Sequence, residues 1–261
     1  MDVTQGFSVR RDGAVLIYRI DRQAKRNAIN RAMFDALAET AEEFAADPDL
    51  RVLLIEAEGN YFSSGFEISD LTPGSPDEGP TGFRRRYRAA ARHDLYDFLE
   101  AIEKPIVIAH QGPCIGAGLE LSLSCDFRLA STAAKYALPE LNMGMIPGSG
   151  GTSRLVRMIG AHWARWLIMA ASTMEAQQAH TIGLIQDVYP EETFREQVSA
   201  FCQRLATHPP EVMGSAKLAI ELVRDLDRTQ GRNIERLINS SLSDRDEQRE
   251  LMSVLRERFS K

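Results

Sequence analysis

Two glutamates of this chain, Glu120 in the stretch GAGLELSLSCD and Glu140 in LPELNMG, each stand beside a glycine-rich turn and among apolar residues. If they met in an apolar setting, burial and the neighbouring carboxylate would both raise a glutamate pKa and bring proton exchange near neutrality within reach. Taken singly, each is more simply a surface residue, because a glutamate is rarely buried without a partner. Spacing alone does not show that they meet. For Glu120 the local pattern is itself divided: Leu119, Leu121 and Leu123 alternate with Glu120, Ser122 and Ser124, as in a half-buried strand whose glutamate faces water. The run nevertheless lacks β-branched residues, is rich in good helix formers, and follows Gly116 and Gly118, which suit a backbone that a ligand approaches closely.

Several other chemistries are excluded by the same glycine-rich segments. GAGLEL has glycine at the first two positions of GxGxxG but Leu121 at the third, and GSGGTS ends in Ser153, so a dinucleotide fingerprint fails twice. Neither GxxxxGK[ST] nor GxSxG occurs. Cys114, Cys125 and Cys202 are odd in number and fit neither CxxC nor Cys/His zinc spacing, so no disulfide and no zinc site is expected. The net charge of −6 argues against a general nucleic-acid binder, which needs a basic surface, but leaves room for a small anionic ligand held by a few local Lys or Arg residues. MDVTQGFSVRRDG has no apolar core of signal-peptide length, and no run reaches the roughly 18 apolar residues of a membrane span; a soluble, cytoplasmic protein is expected.

The elements that must position these residues follow from hydrophobic pattern. With 261 residues, 44% hydrophobic and 26% charged, the chain has the composition of an ordinary globular protein with one large domain, or a core with an appendage. FSVRRDGAVLIYRI predicts a hairpin around Asp12-Gly13, DRQAKRN a polar loop, and Asn30 the cap of a helix to about Ala46. RVLLIEAEG and PIVIAH read as strands, Phe83 to Ile102 as a helix, and TPGSPDEGPTG before it as a mobile loop. FRLAS and KYAL read as short strands. From Ser153 the pattern is almost wholly helical, broken near Gly183, at DVYP, at His208-Pro209-Pro210 and near Gly231. Mixed strands and helices thus give way to helices alone, which divides the chain into a core over 1–195 and a helical C-terminal region over 196–261.

RQAKRNAIN, FSSGFEISDL, GPCIGAGLELSLSCDFRLA and KYALPELNMGMIPGSGGTSRLVRMIG, in this order from about residue 7 to residue 190, resemble the enoyl-CoA hydratase/isomerase, or crotonase, family. The resemblance implies an α/β fold, a spiral of repeated strand-strand-helix units with a helical C-terminal part, that holds an acyl-CoA thioester. It implies an oxyanion hole for the thioester oxygen made by the backbone N–H groups of Phe66 and Ala117. Such donors, aimed at an enolate oxygen, are worth about 3 to 4 kcal/mol each. With Ala117 at a helix start, where unpaired amides and the dipole favour negative charge, the helical reading of GAGLEL prevails. By the same resemblance Glu120 and Glu140 hold one water, Glu120 activating it for C3 and Glu140 transferring the proton at C2, as a coupled pair. Pro139 restrains the backbone entering Glu140, and Gly148 lets the chain approach the water. Lys25, Arg26 and Ala28 would line the CoA moiety, with Ser64, Glu67 and Ile68 beside it. No metal and no cofactor beyond the coenzyme A of the substrate is implied, and homotrimers, often paired into hexamers, are. Neither nucleic acid nor membrane is expected as a partner.

The chain also departs from the family pattern. Gly65-Phe66-Glu67-Ile68 stands where members often read GADL or GADI, so a phenylalanine ring projects near the acyl group, where it could narrow the pocket or stack on an aromatic substrate. Glu67 lengthens a carboxylate with a structural role, and Ala117 replaces a glycine, which is tolerable at negative φ. His93 and His110 belong to no family motif and are set aside, and RRRYR at 84–88 reads as an exposed helix face. The leading expectation is a 2-enoyl-CoA hydratase. The alternatives are 3-enoyl to 2-enoyl isomerisation, which needs only one base, an acyl-CoA lyase or hydrolase, and a non-catalytic RNA-binding or scaffold homologue.

Overall fold

The computed structural model describes residues 6–68, 82–243, 248–249, 252–253 and 256, and of residues 82–91 the backbone only. Most of the loop expected over 72–82, and the side chains of RRRYR, lie outside the described residues. β1 (Phe7–Asp12) and β2 (Val15–Ile20) form the expected hairpin, closed by the pair Asp12 and Val15, so that Gly13 and Ala14 make the turn and Gly13 takes the positive φ it requires. β3 (Val52–Ala57), β4 (Ile106–His110), β6 (Phe127–Ser131) and β9 (Asp187–Tyr189) continue from β2 in parallel, giving a six-stranded sheet in the order β1-β2-β3-β4-β6-β9. β5 (Cys114–Ile115), β7 (Lys135–Ala137) and β8 (Met174–Glu175) make a second sheet of three strands.

The parallel strands are apolar without alternation because both sheet faces are covered. Leu16, Tyr18, Leu53, Ile55, Ile106 and Ile108 face the main core, which is shared with α1 (Arg31–Ala46), α2 (Gly82–Ala101), α3 (Ala117–Leu123) and α4 (Gly151–Ile168). Val15, Ile17, Val52, Leu54, Val107 and Leu129 face the other way, onto Phe194, Val198, Cys202 and Leu205 of α6 (Phe194–Ala206). Residue 195, where the core was expected to end, therefore lies inside a helix that packs on the sheet. The short α5 (Ala176–Thr181) precedes β9, and α7 (Pro210–Val223) and α8 (Arg228–Leu242) follow α6.

Local chemistry explains the helix boundaries. Asn30 accepts a hydrogen bond from the Met33 amide at 2.9 Å and so caps α1, as its position predicts. The break expected near Gly231 falls earlier: Asp227 caps α8 in a reciprocal pair with Gln230, and Gly231 lies within the helix. α4 is bent at Gly160, whose φ of 75° and ψ of 162° interrupt an otherwise helical run. β8 sits in a stretch that reads as helical and has only two residues, too few to carry a strand period. Among the described residues no helix is long and apolar enough to cross a membrane.

Candidate active site

The glycine-rich stretch 116–126 is helical over Ala117–Leu123 and contains no strand. All seven residues of α3 are buried, Glu120 among them at 3% exposure, and Gly116 precedes it at φ 54°. That conformation is open to glycine, and space demands it too, because a Cβ at Gly116 would lie 3.0 Å from Oε1 of Glu140. The second glutamate thus packs against the start of the helix that carries the first. Glu140 opens a single 3-10 turn, Glu140–Met143, after Pro139, and is 8% exposed. The two carboxylates that lie apart in sequence are brought into one electrostatic site.

Their surroundings differ. Oε1 of Glu120 accepts a hydrogen bond from the Ser149 amide at 2.8 Å, and the Gly151 amide at the start of α4 also donates to Glu120. Burial raises the Glu120 pKa, and these two amides, followed by the charges of Arg92 and His93, pull it back. Glu140 has less help. Its Oε2 is buried without a hydrogen-bond partner among the described residues. Burial first, opposed by its own amide, and then the charge of Glu120 push its pKa up to about 7. Both carboxyls are thus raised by burial, but only Glu120 has amide donors that favour its ionised form, so the two are unequal in how readily each holds a proton.

Two backbone amides complete the arrangement. A parallel bridge joins Ile29 to Phe66, in which the Ile29 amide donates to the Gly65 carbonyl and the Glu67 amide to the Ile29 carbonyl. The amide between them, that of Phe66, has no acceptor among the described residues. On the facing chain, Ile115 and Gly116 donate to Ser63 and Ala137, and the next amide, Ala117, is likewise without an acceptor among the described residues. Gly65 is at φ 103°, and a Cβ there would lie 3.7 Å from the Ala117 nitrogen, so the two free amides sit on closely apposed segments. Ala117 is not at positive φ, so the alanine is tolerated there without strain. Free donors beside an acid and a base can stabilise a developing oxyanion while protons move.

The loop expected to lie along CoA is stitched to the Phe66 segment. Asn27, fully buried at φ 55°, donates through Nδ2 to the carbonyls of Glu58 and Tyr61 at 2.8 and 2.6 Å and accepts from the Arg22 amide at 2.8 Å. The Ser64 amide donates to the Arg26 carbonyl, and the Arg26 guanidinium lies over Tyr61. Lys25 and Arg26 are exposed, Ala28 is buried, and Ile68 is exposed at the end of the segment. Glu67 is engaged within the protein: Arg22 donates to it at 2.6 Å and holds its carboxyl below the usual range. This carboxylate ties loop to segment, which fits the structural role expected of it more than a ligand contact.

Two residues of α2 that the sequence reading set aside or passed over also reach this region. His93 Nε2 donates to the Gly148 carbonyl at 2.6 Å, which fixes the turn that presents the Ser149 amide to Glu120. Arg92 lies with its guanidinium over the Phe66 ring, so one face of that ring is already covered and is not open to an aromatic substrate. Neither residue belongs to a spaced motif; only their place on a helix that crosses the site reveals them. Arg154 of α4 pairs with Asp97 and Glu100 of α2 and so holds the start of α4 under Glu120. His110 is a core residue: Nδ1 contacts the Tyr136 hydroxyl, and burial pushes its pKa down to about 3, which keeps it neutral.

A family model described as enoyl-CoA hydratase/isomerase matches residues 10–260. The chain is 30% identical over 246 residues to a 2,3-dehydroadipyl-CoA hydratase of Escherichia coli, covering 94% of this chain and 93% of that protein. It is 30% identical over 213 residues to a short-chain-enoyl-CoA hydratase of Clostridium acetobutylicum, covering 81% and 79%. Among solved structures, an enoyl-CoA hydratase subunit from Geobacillus kaustophilus superposes with a TM-score of 0.88 at 29% identity, covering 97% of this chain and 95% of that one. A putative enoyl-CoA hydratase from Thermobifida fusca in complex with CoA superposes with a TM-score of 0.83 at 26% identity, covering 92% and 93%. The chain belongs to the enoyl-CoA hydratase/isomerase, or crotonase, family, whose enzymes act on acyl-CoA thioesters.

Proposed function

We propose that this protein is a 2-enoyl-CoA hydratase. The observation that carries the reading is the unequal pair of buried glutamates, one met by two amide donors and one with an oxygen that has no donor and a pKa pushed to about 7, beside two backbone N–H groups without acceptors among the described residues. The thioester oxygen of the substrate takes the amides of Phe66 and Ala117. Glu120 accepts a proton from a water whose oxygen bonds to C3, the C2–C3 π electrons move onto C2 and the thioester, and Glu140 delivers its proton to C2. One H and one OH are added, and the proton left on Glu120 returns to Glu140 or solvent before the next cycle. The amides stabilise the enolate-like charge between the two transfers.

Coenzyme A lies along Lys25, Arg26 and Ala28, with Ser64 and Ile68 beside it, Pro139 and Gly148 set the walls of the water site, and Glu67 keeps the CoA loop in register. A solved neighbour of the same fold is a complex with CoA, which supports CoA as the moiety to be held. The apolar outer faces of α7 and α8, with Ile220 and Leu237 among their exposed residues, are assigned to contacts in a homotrimer. Hydration is favoured over double-bond isomerisation because isomerisation uses a single base and leaves the second carboxylate without a task.

The test is a panel of saturated, 2-enoyl and 3-enoyl CoA esters followed by the absorbance of the conjugated thioester. Hydration predicts loss of absorbance with the 2-enoyl esters. Gain of absorbance with 3-enoyl esters and none lost with 2-enoyl esters makes the protein an isomerase. No turnover of any ester, together with salt-sensitive RNA binding, makes it a binding homologue.

A further inference from the structure

The ring of Phe66 stands next to the amide that the proposed reaction uses, and a cation covers it. The guanidinium carbon of Arg92 lies 4.6 Å from the ring centroid, and Nε of Arg92 is enclosed by protein with no hydrogen-bond partner among the described residues. Two other arginines near the site are neutralised, Arg22 by Glu67 and Arg154 by Asp97 and Glu100, whereas Arg92 has no ion pair among the described residues. The guanidinium's charge and donors thus stand in a half-buried place. The ring contact orients the group but accepts none of its N–H bonds.

Arg92 stands one helical turn before Tyr96 on α2, and its field is felt at Glu120 and at Tyr96, which places it on the face of α2 that looks onto the reacting carboxylates. A planar anion that accepts parallel N–H bonds is the ligand such a fork fits best. We propose that Arg92 is a specificity-determining residue that receives a carboxylate at the far end of the acyl chain, so that the preferred substrates are 2-enoyl-CoA thioesters of short dicarboxylic acids. The proposal rests on the hydratase reading. With the thioester oxygen placed at the Phe66 amide, as proposed above, a guanidinium 4.6 Å from the Phe66 ring would suit short chains.

The test compares a six-carbon 2-enoyl-CoA ending in a methyl group with the same ester ending in a carboxylate. Wild-type protein is expected to favour the carboxylate ester in kcat/KM by about 10- to 100-fold, the range of a charge-assisted hydrogen bond in a desolvated site. Arg92→Met is expected to bring that ratio to one or below, and Arg92→Lys to retain part of it, because a point charge replaces a fork. No preference in the wild type overturns the proposal. So does an Arg92→Met variant that lowers both esters equally, the result if the guanidinium serves a CoA phosphate, a carboxylate of the protein or the fold. Competitive inhibition of ligand binding by the two corresponding saturated esters gives the same ratio without catalysis and decides the matter if Arg92→Met does not fold. It also separates the two failures: if wild type hydrates neither ester, the hydratase reading falls, and the inhibition ratio alone judges Arg92.

Discussion

Replacing Glu140 by Gln isolates the proton that the site keeps near neutrality. The rise of the Glu140 pKa from 4.5 to about 7 means that ionising this carboxyl in the folded site costs about 3 kcal/mol more than in water. The sign for stability follows from the direction of that shift. The folded state holds the proton more tightly than the unfolded chain, so the contribution is fully present below about pH 4.5 and is lost as pH rises through about 7. Gln mimics the protonated form and carries no such term, so the variant is expected to lose about 3 kcal/mol less than wild type between acid and mildly alkaline pH in denaturant titrations. Catalysis follows the same proton. With Glu140 as donor at C2, wild-type kcat/KM for a 2-enoyl-CoA falls as pH rises through about 7, whereas the Gln variant keeps a rate lower by about 10² to 10⁴ and loses that alkaline limb. Hydration is read from the conjugated-thioester absorbance across pH 5 to 9. A variant within tenfold of wild type, or one whose alkaline limb still centres near pH 7, would refute the assignment of this proton to Glu140.

Two further substitutions probe Glu120 as the proposed base and the loop proposed to lie along CoA. Glu120→Gln keeps an oxygen for the Ser149 and Gly151 amides but cannot take a proton, so kcat is expected to fall by about 10³ with KM within a few-fold, measured by steady-state hydration; a fall confined to KM would remove Glu120 from the chemistry. Asn27→Ala removes two donors and an acceptor from part-buried backbone partners and leaves alanine at φ 55°, a conformation asparagine tolerates better, so a loss of roughly 2 to 4 kcal/mol and a higher KM for the CoA ester are expected. A denaturant midpoint equal to wild type would show that the loop does not depend on it.

The fold was legible where one physical signal dominated. RVLLIEAEG and PIVIAH read as strands because a sheet covered on both faces leaves no polar alternation, and Asn30 read as a cap because only a side-chain acceptor satisfies the orphan amide of Met33. The stretch around Glu120 misled for the opposite reason: a helix buried on every side has no polar face, so alternation of Leu with Glu and Ser carried no information about direction. That Glu140 packs over Gly116 depends on a tertiary approach that spacing does not encode; the resemblance to a family supplied it. Arg92 and His93 were illegible because they follow the basic run RRRYR, where charge reads as surface, and only the path of α2 across the site turns them inward. Gly231 read as a break because glycine weakens helices, yet the capping pair of Asp227 and Gln230 set the boundary first.

The inequality of the two glutamates has a source in the fold. Glu120 is met by amides at the start of α4, and α4 is held there by Arg154, which reaches Asp97 and Glu100 on α2. Glu140 heads a single 3-10 turn and has one oxygen with no donor among the described residues. In the proposed reaction, addition leaves the proton on Glu120, where two amide donors still face the carboxyl, and leaves the charge on Glu140, where burial opposes it. The amide donors favour the charge on Glu120 and the lack of one disfavours it on Glu140, and this difference directs the proton from Glu120 back to Glu140. The asymmetry sets which carboxyl holds the proton between turnovers, not the equilibrium between enoyl and hydroxyacyl thioester. Releasing α4, by breaking the Arg154 pair, should weaken the amide support of Glu120 and slow this return even though no group that touches substrate has changed.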